Sequence, residues 1–522
     1  MTEENALENL NSLPKRISDL ISRWTEVAPD RLCVVEPGGK WTYAELAAAV
    51  DETSTWLAEC GVRPWDRVMI VSENCRTFVA VYFAVANLDA WPVLVNARLS
   101  STEVDRIREH CSPRRIIYTT TPASRRAADH AKQHGATVEM LPRLGRIAIG
   151  PLNDATKAEP ISADPADNTA ALIYTSGTTG APKGVMLTHR NLVFVAAGSA
   201  KIRRITPDDR LYAVLPICHI TGLSCVLLAG LFNGATVYLS PRFDPVETCK
   251  VFEQEHITIF LGVPATFALL VEYAKLKGLS SFKSPGLRII SCSGSPLYAG
   301  LKADVERLFG LTLYNNYGIT ECSPTITQSR LDEPRADTSV GRLFPGVEMC
   351  MVGADQKTIE GNGEGELWVR GPNLMKGYYR APAETASAID PNGWFNTRDI
   401  ARVEDGHVFI VGRSKDMIIR FGYNVYPSEV EAALAAHPAV ARCAVIGRRS
   451  QTAEDEQIIA FVELAPQSAV TIAELSRHAA ERLASYKVPN EIKVIQELPV
   501  TSTGKVSKAR LAEMIQTGGA TD

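Results

Sequence analysis

Residues 174–184 read Tyr174-Thr175-Ser176-Gly177-Thr178-Thr179-Gly180-Ala181-Pro182-Lys183-Gly184. Ahead of them, Thr169-Ala170-Ala171-Leu172-Ile173 is an apolar run of the kind a short buried strand requires. Behind them, Val185-Met186-Leu187-Thr188-His189 resumes an apolar pattern that leads into a helix-like segment. Glycines let the backbone turn tightly and bring N–H groups close to a ligand. Hydroxyls add donors, and Lys183 adds a point charge. A strand running into such a loop is a cradle for a polyphosphate. It is not the common P-loop, in which Gly-Lys is followed by a Ser or Thr that holds magnesium. Here Pro182 precedes Lys183 and Gly184 follows it. A short piece of the run, taken alone, reads more readily as an ordinary Gly/Thr surface loop.

Outward from this loop the chain alternates strand-like and helical runs. On the N-terminal side a helix is expected over Leu13–Val27 and a strand near Leu32–Val35. Thr42 and Glu45 have the spacing of a capping box that opens the next helix. Strands at Arg67–Val71, Trp91–Val95 and Ile116–Tyr118 alternate with helices at Thr77–Leu88 and Ser101–His110. Residues 119–165, rich in Ala, Arg, Pro and Asp, read as a connection. On the C-terminal side strands are expected at Arg210–Val214, Thr236–Leu239, Thr258–Leu261 and Leu287–Ser291, with helices between. The alternation implies an α/β fold with a doubly wound, parallel sheet. From about residue 338 the texture turns to β, as in a small barrel or antiparallel subdomain over 338–412. After Ser414 it turns to a compact α+β pattern. The expected division is 1–414 for a large N-terminal domain and 415–522 for a small C-terminal one.

The chain has 522 residues, too many for one core, and its 45% hydrophobic and 22% charged content is ordinary for globular proteins. A net charge of −4 offers no electrostatic case for nucleic acid or an anionic membrane. The apolar stretch Phe78–Val95 is broken by Asn87, Asp89 and Pro92, so no integral membrane segment is expected. The acidic opening Met1–Asn5 lacks a secretion-signal layout, and the 11 cysteines include no C-x-x-C pair. A cytoplasmic protein with free thiols is the expectation.

Further runs carry possible chemistry. Asn315-Asn316-Tyr317-Gly318-Ile319-Thr320-Glu321 follows a strand-like segment, though alone it is also compatible with a plain turn. Ser293-Gly294-Ser295-Pro296 is another small-residue loop. Gly393-Trp394-Phe395-Asn396-Thr397-Arg398-Asp399 ends on a carboxylate, and Gly412-Arg413-Ser414-Lys415-Asp416 sits at the composition break. Pro216-Ile217-Cys218-His219-Ile220-Thr221-Gly222, Phe421-Gly422-Tyr423 and Thr501-Ser502-Thr503-Gly504-Lys505 complete the set.

In this order, and over nearly the whole chain, these runs resemble the signatures of the adenylate-forming superfamily, particularly its acyl-CoA synthetases and 4-coumarate-CoA-ligase-like members. The resemblance implies a reaction with ATP, Mg²⁺ and coenzyme A in which a small carboxylic acid becomes acyl-AMP and then acyl-CoA. It implies that Thr175, Ser176, Gly177, Thr178, Thr179, Gly180 and Lys183 cradle the phosphates. Tyr317 would pack on the adenine, Asn315 bond its amine, and Ser293, Gly294, Ser295 and Pro296 wall its other side. Thr320 would touch phosphate and Glu321 hold the metal, a hard cation suited to one carboxylate plus phosphate oxygens. Asp399 and Arg413 would bond the ribose, although Arg398 stands where the family usually has glycine. Lys415 would be the hinge, Gly422 would line the pantetheine tunnel, and Lys505 would reach the reacting carboxylate. His219 lies in the motif that gates the acyl pocket, with Thr221, Cys225, Ser293, Asn316 and Ser323 as pocket residues by register. Asn316, in place of glycine, implies a shallower and more polar pocket floor, hence a short- to medium-chain fatty acid or a small aromatic acid. An adenylation enzyme that loads a carrier protein is the second reading, and an inactive ligand-binding scaffold the third. A homodimer is expected by analogy alone.

Overall fold

The computed structural model describes residues 12–119, 125–176, 182–353, 355, 357–359, 361–420, 423–449, 456–465, 468–501 and 505–516. The calls on Gly177, Thr178, Thr179, Gly180 and Gly422 therefore fall outside the described residues, as does the side chain of Ser176.

Two large sheets build the N-terminal region. In the first, the strands Trp91–Asn96, Arg67–Ser72 and Arg115–Tyr118 lie side by side and parallel, as their unbroken burial requires. Thr169–Ser176 joins them parallel to Trp91–Asn96 and then turns back antiparallel into Pro182–Thr188. In this pair of strands Thr175 lies opposite Lys183. In the second sheet, Thr236–Leu239, Arg210–Ala213, Ile259–Gly262, Ile289–Cys292 and Leu313–Gly318 are parallel neighbours, with Leu32–Glu36 alongside Thr236–Leu239. Helices Arg76–Asn87 and His189–Ile202 are apolar almost all round, because both belong to the core shared by the two sheets. The Thr42–Glu45 capping box forms, with Glu45 N–H donating to Thr42 Oγ1 at 3.2 Å and Thr42 N–H to Glu45 Oε2 at 2.8 Å.

The segment expected as a plain connection carries more structure. It holds a helix, Arg125–Gln133, and two antiparallel strands, Thr137–Leu141 and Gly145–Ile149, at the edge of the first sheet. Thr137–Leu141 is the outermost strand and largely exposed, so it lacks the apolar run that marks an interior strand.

The β-textured stretch forms a five-stranded antiparallel sheet that includes Gly363–Arg370, Phe395–Glu404 and His407–Arg413. A turn of 3₁₀ helix at Ser414–Asp416 follows it. Beyond that turn, Pro427–Ala435 and Ile472–Ala480 pack on a three-stranded sheet with its own apolar core. Among the described residues, no helix is long and apolar enough to cross a membrane.

Candidate functional site

The C-terminal ends of the second sheet's parallel strands meet the antiparallel sheet and the C-terminal unit in one cleft. Register explains much of what gathers there. Phe395–Glu404 pairs with His407–Arg413 so that Asp399 lies opposite Arg413, and Arg413 Nε donates to Asp399 Oδ1 at 2.8 Å. Tyr317, near the end of Leu313–Gly318, donates its hydroxyl to Asp399 Oδ2 at 2.5 Å. Asp399 is 2% exposed, so this carboxylate is buried but held by two donors. Burial, reinforced by Asp399, pushes the Tyr317 hydroxyl up and keeps it a donor. Arg413 is held more firmly protonated, chiefly by Asp399.

The tight turn after Tyr317 explains its glycine. A Cβ on Gly318 would sit 2.1 Å from the Pro324 carbonyl oxygen, closer than any real contact. Glu321 follows on a 3₁₀ turn, and Tyr378 donates its hydroxyl to Glu321 Oε1 at 2.9 Å. Lys183 Nζ stands 5.2 Å from the centre of the Tyr378 ring. Tyr378 thus links the basic residue of Pro182–Thr188 to the acidic residue of the turn. Asn315 donates from Nδ2 to Thr338 O at 2.9 Å, which orients Oδ1 as an acceptor. At Ser293–Pro296 the chain passes through a left-handed Gly294, φ +87°, with Ser293 N–H donating to Gly262 O at 3.2 Å.

Arg398, the departure noted in the sequence, occupies a left-handed conformation, φ 61°. The glycine-type turn is retained by a residue with a Cβ, at a cost of about 1–2 kcal/mol. Its N–H donates to Asn396 Oδ1 at 2.8 Å, and its carbonyl accepts from Ser414 Oγ at 3.2 Å.

The C-terminal unit is seated against this cleft. Tyr298 donates to Glu431 Oε2 at 3.2 Å, and Ser428 Oγ donates to the Val411 carbonyl. Lys505 enters the cleft, with its Cε 3.9 Å from where a Cβ on Gly294 would lie. The residue as a whole keeps exposed surface, yet protein crowding lowers its ammonium pKa, Arg413 adds to the lowering, and Asp399 and Glu321 oppose it. Burial and then Lys505 press the His219 pKa down to about 4, so this imidazole is neutral at neutral pH. Its Nε2 is buried and has no partner among the described residues. Lys415 is exposed in the 3₁₀ turn.

Beside Ser293, Gly294 and Tyr317 a cavity opens into the fold, lined also by Arg203, Thr221, Cys225, Asn316, Thr325 and Gln328. It spans about 340 Å³ of atom-free space including its open side, but the centre of a water can occupy only about 20 Å³ of it. The Asn316 amide is spent on Ser291 Oγ, Cys292 O and Ser329 N–H, so it narrows the cavity while its polar atoms serve the fold. Ser323 is fully buried, and its neighbour Pro324 is the residue that lines the cavity. Thr221 and Cys225 lie on a π-helical segment, Thr221–Leu228, a geometry common at functional sites. Cys225 Sγ approaches Thr325 Oγ1 at 3.5 Å.

Residues of this region that were not singled out from the sequence include Arg203, Gln328, Tyr378 and Asn74. Asn74 donates to Ala213 O at 3.0 Å and Leu215 O at 2.9 Å and accepts from Ile217 N–H at 2.8 Å, pinning the loop that presents His219. The one signal available for Arg203 was a basic residue directly after a helix of almost wholly apolar character.

The donor set suits a magnesium nucleotide. It offers a buried carboxylate with oriented partners, a second carboxylate on a turn, two flanking cations, and an amide whose Oδ1 is left as an acceptor. Comparison with known proteins agrees. Residues 21–379 match the AMP-binding enzyme family and 429–505 its C-terminal domain. A feruloyl-CoA synthase of Amycolatopsis is 33% identical over 500 residues, covering 94% of this chain and 97% of the relative. ATP-bound MatB from Rhodopseudomonas palustris superimposes with a TM-score of 0.83 at 29% identity, covering 96% of this chain and 99% of that one. The O-succinylbenzoate coenzyme A synthetase of Bacillus subtilis, solved with ATP and magnesium, gives 0.79 at 28% identity over 94% of this chain and 99% of that one.

Proposed function

The chain belongs to the AMP-binding enzymes, the family of AMP-forming acid–CoA ligases, and on that premise we propose that it converts a short- to medium-chain or small aromatic acid to its CoA thioester in the cytoplasm. The observation that carries this reading is the seating of Lys505 in the same cleft as Tyr317, Asp399 and Glu321. The 11 free cysteines suit a reducing compartment.

In the first half-reaction a carboxylate oxygen of the acid attacks the α-phosphorus of ATP, and the bond to the β-phosphate oxygen breaks, releasing pyrophosphate. Tyr317 and Asn315 hold the adenine, and Asp399 accepts from the ribose hydroxyls. Lys183, with the loop before it, steadies the leaving phosphates. Glu321 would hold a Mg²⁺ ion, which would supply charge neutralisation at the phosphates. Lys505 aligns the attacking carboxylate and offsets negative charge at the α-phosphate, while a neutral His219 closes the acyl side without competing as a cation. Such catalysis is mainly positioning and charge stabilisation. In the second half-reaction the C-terminal unit turns about Lys415, withdrawing Lys505. The CoA sulfur then attacks the acyl carbon, AMP leaves with its bonding pair, and the thiol proton passes to solvent.

The test is pyrophosphate release from MgATP over a panel of carboxylic acids, each with and without CoA, with products identified by mass. AMP and acyl-CoA from one acid class support the proposal. Acyl-AMP that CoA does not discharge indicates a carrier-protein acceptor instead, and silence across the panel refutes the ligase reading.

A further inference from the structure

The cavity beside the nucleotide cleft contains a cation that the fold does not neutralise. Arg203, directly after the helix His189–Ile202, is 4% exposed and lines the cavity. Among the described residues its guanidinium meets no carboxylate, and its partners are both on Cys225, the carbonyl oxygen at a long 3.4 Å and the side chain. A guanidinium carries five N–H donors, so most of its capacity is unused. The usual fates of a buried arginine in this protein are different. Arg67, equally buried, bonds the Glu159 carboxylate and the carbonyls of Cys111, Lys157 and Ser112. Arg114 is paired with Asp66 and Asp154.

A second polar group in the same wall is also unsatisfied. Gln328 is 2% exposed, and its Oε1 is buried without a partner among the described residues. Arg203 and Gln328 come from a helix end and a strand far apart in sequence, and both face the space the acyl group must enter. An unpaired buried charge is costly, and a cavity holding one is complementary to an anion. A carboxylate fits best because it accepts two parallel N–H bonds from the planar fork, whereas an apolar acyl tail would seal the charge from water and leave it uncompensated.

We propose that the acid activated here carries a second carboxylate, remote from the reacting one, and that Arg203 binds it; Gln328 Oε1, itself an acceptor, makes no bond to that carboxylate. The substrate class is then a small dicarboxylic acid, aliphatic or aromatic. The inference rests on the acid–CoA ligase reading above and narrows it. Burial lowers the Arg203 pKa, and an anion in the cavity would reverse that effect. One carboxylate is directed to Lys505 for reaction and the other to Arg203 for recognition.

The test compares matched acids on the whole enzyme with MgATP and CoA: propionate with malonate, butyrate with succinate, hexanoate with adipate, benzoate with isophthalate. In the wild type at least one diacid should exceed its monoacid partner in kcat/KM by about 100-fold, the scale on which sites built for a polar group reject its absence. Arg203→Met should collapse that ratio, which cancels any general loss of active protein, and Arg203→Lys should restore part of it. Turnover of the monoacids with the diacids inert, or a ratio unmoved by Arg203→Met, overturns this inference and leaves the ligase reading standing. A preference for 4-hydroxybenzoate over both benzoate and isophthalate, with no aliphatic diacid favoured, also overturns it, by assigning Arg203 to a neutral acceptor. No pyrophosphate from any acid overturns both.

Discussion

Replacing Lys505 by alanine separates the two half-reactions. Its ammonium lies in the cleft with Arg413, Asp399 and Glu321 close enough to act on its charge, and the other cation there, Arg413, is bound to Asp399. On the proposed reading, Lys505 is the cation that meets the reacting carboxylate and α-phosphate. Removing one such donor from a preorganised site typically costs about 2.7–4 kcal/mol, a factor of about 10²–10³ in rate. The expected loss in acyl-AMP formation is of that size, read as acid-dependent exchange of labelled pyrophosphate into ATP. Thioester formation from supplied acyl-AMP and CoA should change less than about threefold, because by then the C-terminal unit has withdrawn the lysine. The lowered pKa adds a pH signature. The protonated form is the competent one, so adenylation should decline on the alkaline side at a lower pH than an exposed lysine would give. Lys505→Arg should move that decline upward. Equal losses in both half-reactions would refute the assignment of Lys505 to adenylation alone.

Three further expectations concern stability. Arg398→Gly relieves a left-handed residue, a gain of about 1–2 kcal/mol, against about 0.4–1 kcal/mol of added unfolded-state entropy. A net stabilisation near 1 kcal/mol should appear in the denaturant midpoint, and a loss would show that the Arg398 side chain matters more than its backbone. Asn74→Ala removes three buried hydrogen bonds and should destabilise by about 2–3 kcal/mol in equilibrium unfolding, with a rise in KM for the acid as the His219 loop loosens. His189 is 3% exposed, accepts from Ile17 N–H at 3.2 Å, and is pressed down to about 3, mainly by burial. Its folded pKa lies below its unfolded value, so its contribution is complete above about pH 6.5 and is lost as pH falls toward 3. The slope approaches about 1.4 kcal/mol per pH unit in that window, and His189→Asn, which keeps an acceptor, should flatten it.

Much of the architecture was legible locally. The α/β alternation follows from apolar runs of strand length between amphipathic or apolar helices, and the Thr42–Glu45 cap formed as its spacing requires. The glycine of the Tyr317-Gly318 run was legible because its constraint is local and steric, the turn leaving no room for a Cβ. Where the sequence showed Arg398 in a glycine's place, the structure puts it at a left-handed φ of 61°. The edge hairpin of Thr137–Leu141 and Gly145–Ile149 was not legible, since an exposed edge needs no apolar pattern.

By itself, then, the chain determined its family and its large and small parts, because each depends on short-range patterns of apolarity, glycine and charge. The acyl side was decided only by tertiary structure. Asn316 looked like a polar pocket floor, yet its amide is consumed by Ser291, Cys292 and Ser329. Arg203 was not singled out from the sequence, yet folding places it in the same cavity wall as Gln328 with no carboxylate partner among the described residues. Whether a buried polar group serves the fold or waits for a ligand depends on which partners reach it in space, and those partners come from distant segments.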